Sequence, residues 1–156
     1  MRKEALSLAY RRTAFHLDDM DDFIKLAISM GKIGRDNVES LEFAWESRVD
    51  IGPIELDNLI SENPHPRLPG LHAQRCVQLL GLCRRLKFLR LHFERDLISN
   101  ISPDAFKLDP GIRGLCSFRE IHRVEIYDQF CEPLDEYEII KWLKQNMESS
   151  NRGKEQ

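Results

Sequence analysis

Three segments of the chain carry the same order of apolar and polar positions. "VESLEF" from Val38, "LKFLRL" from Leu86 and "IHRVEI" from Ile121 each read apolar, two of any type, apolar, one of any type, apolar. The alternation that ends each copy is the period of a strand with one buried face. In "LKFLRLHF", Leu89, Leu91 and Phe93 fall on one side, and Arg90 and His92 on the other. Strands are therefore predicted over 38–45, 88–93 and 122–127.

Around these strands the apolar period lengthens to that of a helix. Residues 2–12 predict a short helix, followed by a brief apolar segment at 14–17. "DDMDD" opens a longer helix in which Met20, Phe23, Ala27 and Met30 recur at helical spacing, with Ile24 and Ile28 alongside. Gly31 and Gly34 are its expected stop signals. Residues 46–70, with "GP" and "NPHPRLPG", predict a long loop holding a short helical turn near "ELDNLI". Residues 71–85 return to helix, with Cys76, Leu79, Leu80 and Cys83 as the apolar stripe. After Phe93 a polar link leads into a helix around "PGIRGLCSF", where Pro110 suits the first turn. In the last helix Asp135 is expected to cap the start while Glu138 reaches back, with Leu134 and Ile139 in staple positions. Its inner face is read as Ile139, Ile140, Leu143 and Met147.

Strands alternating with helices predict parallel strands joined by helical crossovers. The repeated grammar narrows this α/β class to a short, irregular leucine-rich-repeat-like solenoid with a mostly parallel sheet and helices packed on one side. Strand centres near 42, 90 and 124 make the units uneven. One such domain is expected over 1–149, with a disordered polar tail at 150–156.

Composition agrees with one globular domain: 156 residues, 42% hydrophobic and 31% charged. A net charge of −3 supplies no global positive field for a nucleic-acid backbone, so no nucleic-acid partner is expected. No apolar run approaches the roughly 20 residues that cross a bilayer. "MRKEALSLAY" lacks the apolar core of a secretory leader. The expected address is intracellular, cytoplasmic or nuclear, without a membrane partner. Of the four cysteines, Cys76 and Cys83 share one face of a predicted helix, and Cys116 and Cys131 stand among apolar neighbours. With no C-x-x-C pair, buried free thiols are expected rather than a zinc site.

"DDMDD" contains the D-D-x-x-D spacing that holds magnesium in prenyl-transferring enzymes. The expected role here is local: Asp18 or Asp19 caps the helix, and Asp21 and Asp22 favour its positive end. His16, His65, His72, His92 and His122 form no H-x-x-x-H, and neither Gly-x-Ser-x-Gly nor a P-loop occurs. No catalytic, cofactor-binding or metal-ligating residue is assigned. Trp45 continues the inward set Leu41–Phe43 and is expected in the core; Trp142, at the edge of its helix's stripe, is expected to be partly buried.

Aligning the three motifs puts Glu42, Arg90 and Glu125 in one outward row and Ala44, His92 and Tyr127 in the next. In leucine-rich-repeat-like proteins that sheet face is the concave binding surface. Glu42, Arg90, His92, Glu125 and Tyr127 are therefore the candidate partner-binding residues, read as a net negative stripe suited to a partner offering Lys or Arg. The alternative is a solvated face whose opposite charges pair across strands.

The order of elements also resembles a large family of filamentous-fungal proteins related to F-box proteins. The matching pieces are "EALSLAY", "TAF", "KIGRDN" and "SLEFAW", then "LLGLCRRLKFLRLHF", "PGIRGLCSFREIHRVEIYD" and "WLKQNME", over roughly residues 4 to 148. Family members usually begin with a segment resembling "LPxELRxxIY", followed by "CRQI", and neither string occurs in this chain. The F-box-like segment, which would imply binding to a ubiquitin-ligase scaffold, is thus expected to be missing. The function expected from these readings is a non-catalytic protein-interaction module, a substrate-recognition fragment of an F-box-like protein with an unknown protein partner. Self-association through the N-terminal sheet edge is a further expectation. The alternatives are a small enzyme with a pocket near the strand ends or the 46–70 loop, and a truncated family member without its own activity.

Overall fold

In the computed structural model, residues 2–48, 68–118 and 121–148 are described. Helix α1 (Arg2–Arg12) leads across Thr13 into β1 (Ala14–Asp19). Asp19, in extended backbone, then caps α2 (Met20–Asn37) by accepting the Asp22 N–H at 3.0 Å, one of the two expected caps. Gly31 leaves helical geometry with φ +65°, a left-handed conformation suited to glycine, but the helix resumes and runs to Asn37. The Arg35 guanidinium holds the two pieces together, donating across the break to the Ala27 carbonyl at 2.7 Å. Gly34 is therefore not a stop.

Strand β2 (Ser40–Ala44), helix α3 (Leu71–Leu82) and strand β3 (Phe88–His92) lie where the periodicity puts them. The predicted polar link after Phe93 is instead two short helices, α4 (Arg95–Asn100) and α5 (Pro103–Leu108). Their formation follows burial that the short apolar spacing concealed: Leu97, Ile98 and Phe106 all enter the core, and Ser102 caps α5 by accepting the Ala105 N–H. Asp109 likewise caps α6 (Pro110–Cys116), with Pro110 in the first turn. Strand β4 (Arg123–Tyr127) and helix α7 (Glu138–Met147) follow. Asp135 does not cap α7. The Tyr137 N–H bonds to the Leu134 carbonyl in a turn that delays the helix, and the Asp135 carboxylate accepts instead from Lys144 at 3.1 Å. Leu134 and Ile139 are both buried, as are Ile140, Leu143 and Met147.

The strands form one all-parallel sheet in the order β1-β2-β3-β4. Register aligns Leu41 with Leu89 and Val124, and Phe43 with Leu91 and Ile126. These residues are buried, so one sheet face is apolar and the helices cover it. Along that layer α1 packs on α2, α2 on α3, α3 on α6 and α6 on α7. The approach of α6 to α3 requires Gly114, where a Cβ would stand 2.7 Å from a Val77 methyl. The motif recurs because each copy is one rung of this sheet.

Trp45 is buried, and Trp142 is half-buried with its ring edge against Phe106. The thiols divide differently from expectation. Cys76 and Cys83 are buried, but Cys116 is half-buried and Cys131 is exposed. Cys131 lies in the turn after β4 with φ +63°, a conformation set by the hydrogen bonds around it rather than by its apolar neighbours. Among the described residues no helix is long and apolar enough to cross a membrane. The expected helical turn near "ELDNLI" and the expected tail at 150–156 lie outside the described residues.

Candidate functional site: the polar face of the sheet

Strand alternation sends Glu42, Arg90 and Glu125 to the face opposite the apolar core, and the parallel register sets them side by side. His16 stands opposite Glu42, Glu42 opposite Arg90, and Arg90 opposite Glu125. Ala44, His92 and Tyr127 form the next row. All five candidate residues thus share one surface, in the order in which the motifs align.

Glu42 is the hub. One carboxylate oxygen meets His16 Nδ1; the other lies 2.7 Å from His92 Nε2 and 3.4 Å from Arg90 Nη1. Arg90 turns chiefly to Glu125, donating to one oxygen from Nη2 at 2.8 Å and from Nε at 3.2 Å. The Tyr127 hydroxyl donates to that same oxygen at 3.0 Å, and Arg123 holds the second oxygen at 2.7 Å. The Arg90 guanidinium also lies 4.9 Å from the Tyr127 ring centre and 5.6 Å from that of Phe88, within cation–π range. His92 Nδ1 meets the Asp128 carbonyl at 3.0 Å, so both ring nitrogens face acceptors.

No family model, no curated protein and no solved structure matches the chain.

The charge balance corrects one expectation. Glu42 and Glu125 are matched by Arg90 and Arg123, so the row is neutral before either histidine is counted. The carboxylates are also sunk: the side chains of Glu42 and Glu125 are 16% and 11% exposed, against 67% for His16 and 72% for Arg123. The surface therefore presents imidazole, guanidinium and the Tyr127 ring over buried acceptors, not a net negative stripe. Arg123 was legible: it precedes Glu125 by two residues and so shares its face. His16 was not, because β1 lacks the repeated motif.

Burial alone would raise the pKa of Glu42, but hydrogen bonds to His92 and His16 and the Arg90 charge hold it below the usual 4.5. For Glu125 the same burial is outweighed by Arg90 and Tyr127. A depressed carboxylate contributes stability that is complete above its unfolded pKa and lost as pH falls through the folded value. We therefore expect wild-type stability to fall below pH 4.5 more steeply than that of a Glu42→Gln/Glu125→Gln variant. Urea melts down the acid limb compare the two; coincident limbs would contradict the pairing.

Two clusters that sequence reasoning missed lie toward the carboxyl ends of the strands. Asp21 accepts from Ser47 Oγ at 2.7 Å and from the Arg48 N–H at 2.9 Å, and meets His72 Nδ1 at 2.7 Å. Burial pushes its pKa up, but the contacts with His72, Ser47 and Arg48 outweigh it and keep the carboxyl ionised. Ser47 Oγ is also 3.3 Å from His72 Nδ1. Serine and aspartate thus meet the same ring nitrogen, whereas a nucleophilic relay places the imidazole between them, one nitrogen for each. The cluster ties the first turn of α2 to the segment after β2 and to the start of α3. At the other side, buried Asp128 accepts the Phe130 and Glu132 N–H groups and Arg95 Nε, which fixes the turn holding Cys131. Among the described residues no group of three or more His, Cys, Asp or Glu could hold a metal ion.

Proposed function

We propose that the chain is a non-catalytic protein-interaction module, a short leucine-rich-repeat-like stack that binds a partner protein through the polar sheet face. The observation that carries this reading is the row itself. Six side chains from four strands, His16, Glu42, Arg90, His92, Glu125 and Tyr127, converge on the face opposite the helices, with orientation fixed by paired contacts. Such preorganised donors and a planar cation against an aromatic ring suit recognition of a mixed polar surface, since little side-chain ordering remains for binding. Arg and Tyr are also the residue types that most often dominate interface energetics.

The resemblance to F-box-related fungal proteins supports the same reading and adds a role, recognition of a substrate protein. Strand β1, bonded among the described strands to β2 alone, supports self-association as an accompanying mode, because an edge strand offers unpaired backbone groups.

The test is affinity capture from the native host with three baits: wild type, an Arg90→Ala/Tyr127→Ala variant and a helix-surface control, Lys25→Ala. Proteins enriched by wild type and the control but lost with the face variant, at unchanged circular dichroism, are the expected result. An identical set on all three baits would count against the sheet face.

A further inference from the structure

We infer that the amino-terminal end of the sheet carries a second docking site, an apolar groove with a basic rim that takes an acidic peptide segment bearing an apolar side chain. The groove, about 530 Å³, lies between the C-terminal ends of α3 and α6 and the approach to β4. Leu80, Leu86, Phe118 and Ile121 line it with Cys83 and Arg84. Leu80, Leu86 and Ile121 belong to the core, so the floor is fixed by the fold. Burial pushes the Cys83 thiol up to about 12, which leaves it an apolar wall rather than a nucleophile.

The rim decides the ligand's charge. Arg84 lines the groove, its chain neighbour Arg85 is exposed as well, and among the described residues neither holds a carboxylate of its own chain. Lys87, Arg90, Arg95 and Arg123 all do. The two arginines follow the C-terminus of α3, where partial negative charge favours a cation. That role leaves their donors open, because carbonyls at both helix ends accept from groups of their own helix end. Leu80 and Leu82 carbonyls accept from the Cys83 and Arg84 N–H groups at 3.0 Å each. At α6 the Gly114 carbonyl accepts from Ser117, and that of Leu115 from the Phe118 N–H at 3.1 Å. What the groove presents at its edge is therefore guanidinium, a fork matched to carboxylates. Acids also stand at this end of the strands, but Glu39 holds Lys87 at 3.3 Å and Glu148 accepts the Val124 N–H at 3.0 Å, which among the described residues leaves Asp36, near Cys83, as the acid facing the groove's side. Two arginines without a carboxylate against one such acid leave the local balance positive, which favours an acidic segment. The apolar floor selects a peptide side chain over a bare phosphate backbone.

The site is separate from the polar face, and the test keeps them apart. A displayed library of random short peptides is panned on the full chain, with counter-selection on Gly81→Leu. A Cβ at Gly81 would stand 3.4 Å from the Phe118 ring, in ordinary contact, so a leucine there puts its side chain beside the groove's Phe118 wall while favouring helix over glycine. Enriched peptides should combine Asp or Glu with Leu, Phe or Trp. One of them, fluorescein-labelled, should lose about tenfold in affinity or more on Arg84→Glu, bind more weakly in salt, and be unaffected by Arg90→Ala/Tyr127→Ala. Thermal melts confirm that the variants fold. Enrichment of basic or uncharged peptides, no peptide that distinguishes wild type from Gly81→Leu, equal binding by Arg84→Glu, or displacement by a single-stranded oligonucleotide would each overturn the proposal.

Discussion

Replacing Phe43 with alanine is expected to destabilise the protein by about 3–5 kcal/mol, the range for truncating a fully buried phenylalanine. Phe43 is the inward residue of β2 on which α2 rests. Its ring stacks on Phe23 at 5.0 Å with the planes 3° apart, and Trp45 lies 6.4 Å away on the same strand face. All three side chains are buried, so alanine leaves a cavity bounded by two other large rings that cannot collapse into it. Urea denaturation should show a lower midpoint with an unchanged slope. A loss under about 1 kcal/mol would mean that the site relaxes as a surface does, and that α2 is not seated on β2 as described.

The second large effect is a contrast between neighbours. Leu89→Ala is expected to cost about 2–5 kcal/mol, and Arg90→Ala about 1 kcal/mol or less. Leu89 is fully buried between its register partners Leu41 and Val124. Arg90, one residue on, points to the other face and is one-third exposed, so solvent screens its two ion pairs. Its loss also leaves neither carboxylate alone: Glu42 keeps His16 and His92, and Glu125 keeps Arg123 and Tyr127. Equal losses in paired denaturant melts would show that the faces of β3 are assigned wrongly.

The strands with the repeated motif were the most legible part of the fold. Two-residue alternation states which face each side chain takes, and three copies of one grammar state the register, so Glu42, Arg90 and Glu125 could be aligned from residues alone. Elements without a long period were not legible. Helices α4 and α5 are six residues each, too short for a helical stripe to repeat, and only Leu97, Ile98 and Phe106 signal their burial. The start of α7 depends on a turn at Leu134–Tyr137 that competes with the capping pattern at Asp135. The charge of the site was misread because Arg123, on the same face as Glu125, was left out of the row; the His16 contact was missed for a reason of distance in sequence. Pairing His16 with Glu42 links strands 26 residues apart, and β1 carries no motif to align. Asp21 had the appearance of an ordinary first-turn acid, and nothing local signals that Ser47 and His72 converge on it.

The assignment of the polar face as the interaction surface is tested most directly by a hydrogen-exchange footprint of the captured partner on the chain. The account predicts slowed exchange in the segments containing Glu42, Arg90–His92 and Glu125–Tyr127, with no change in α3 or around Phe118. Protection confined to the groove between α3 and α6, or to the helical layer, with the three strand segments unchanged, would contradict it.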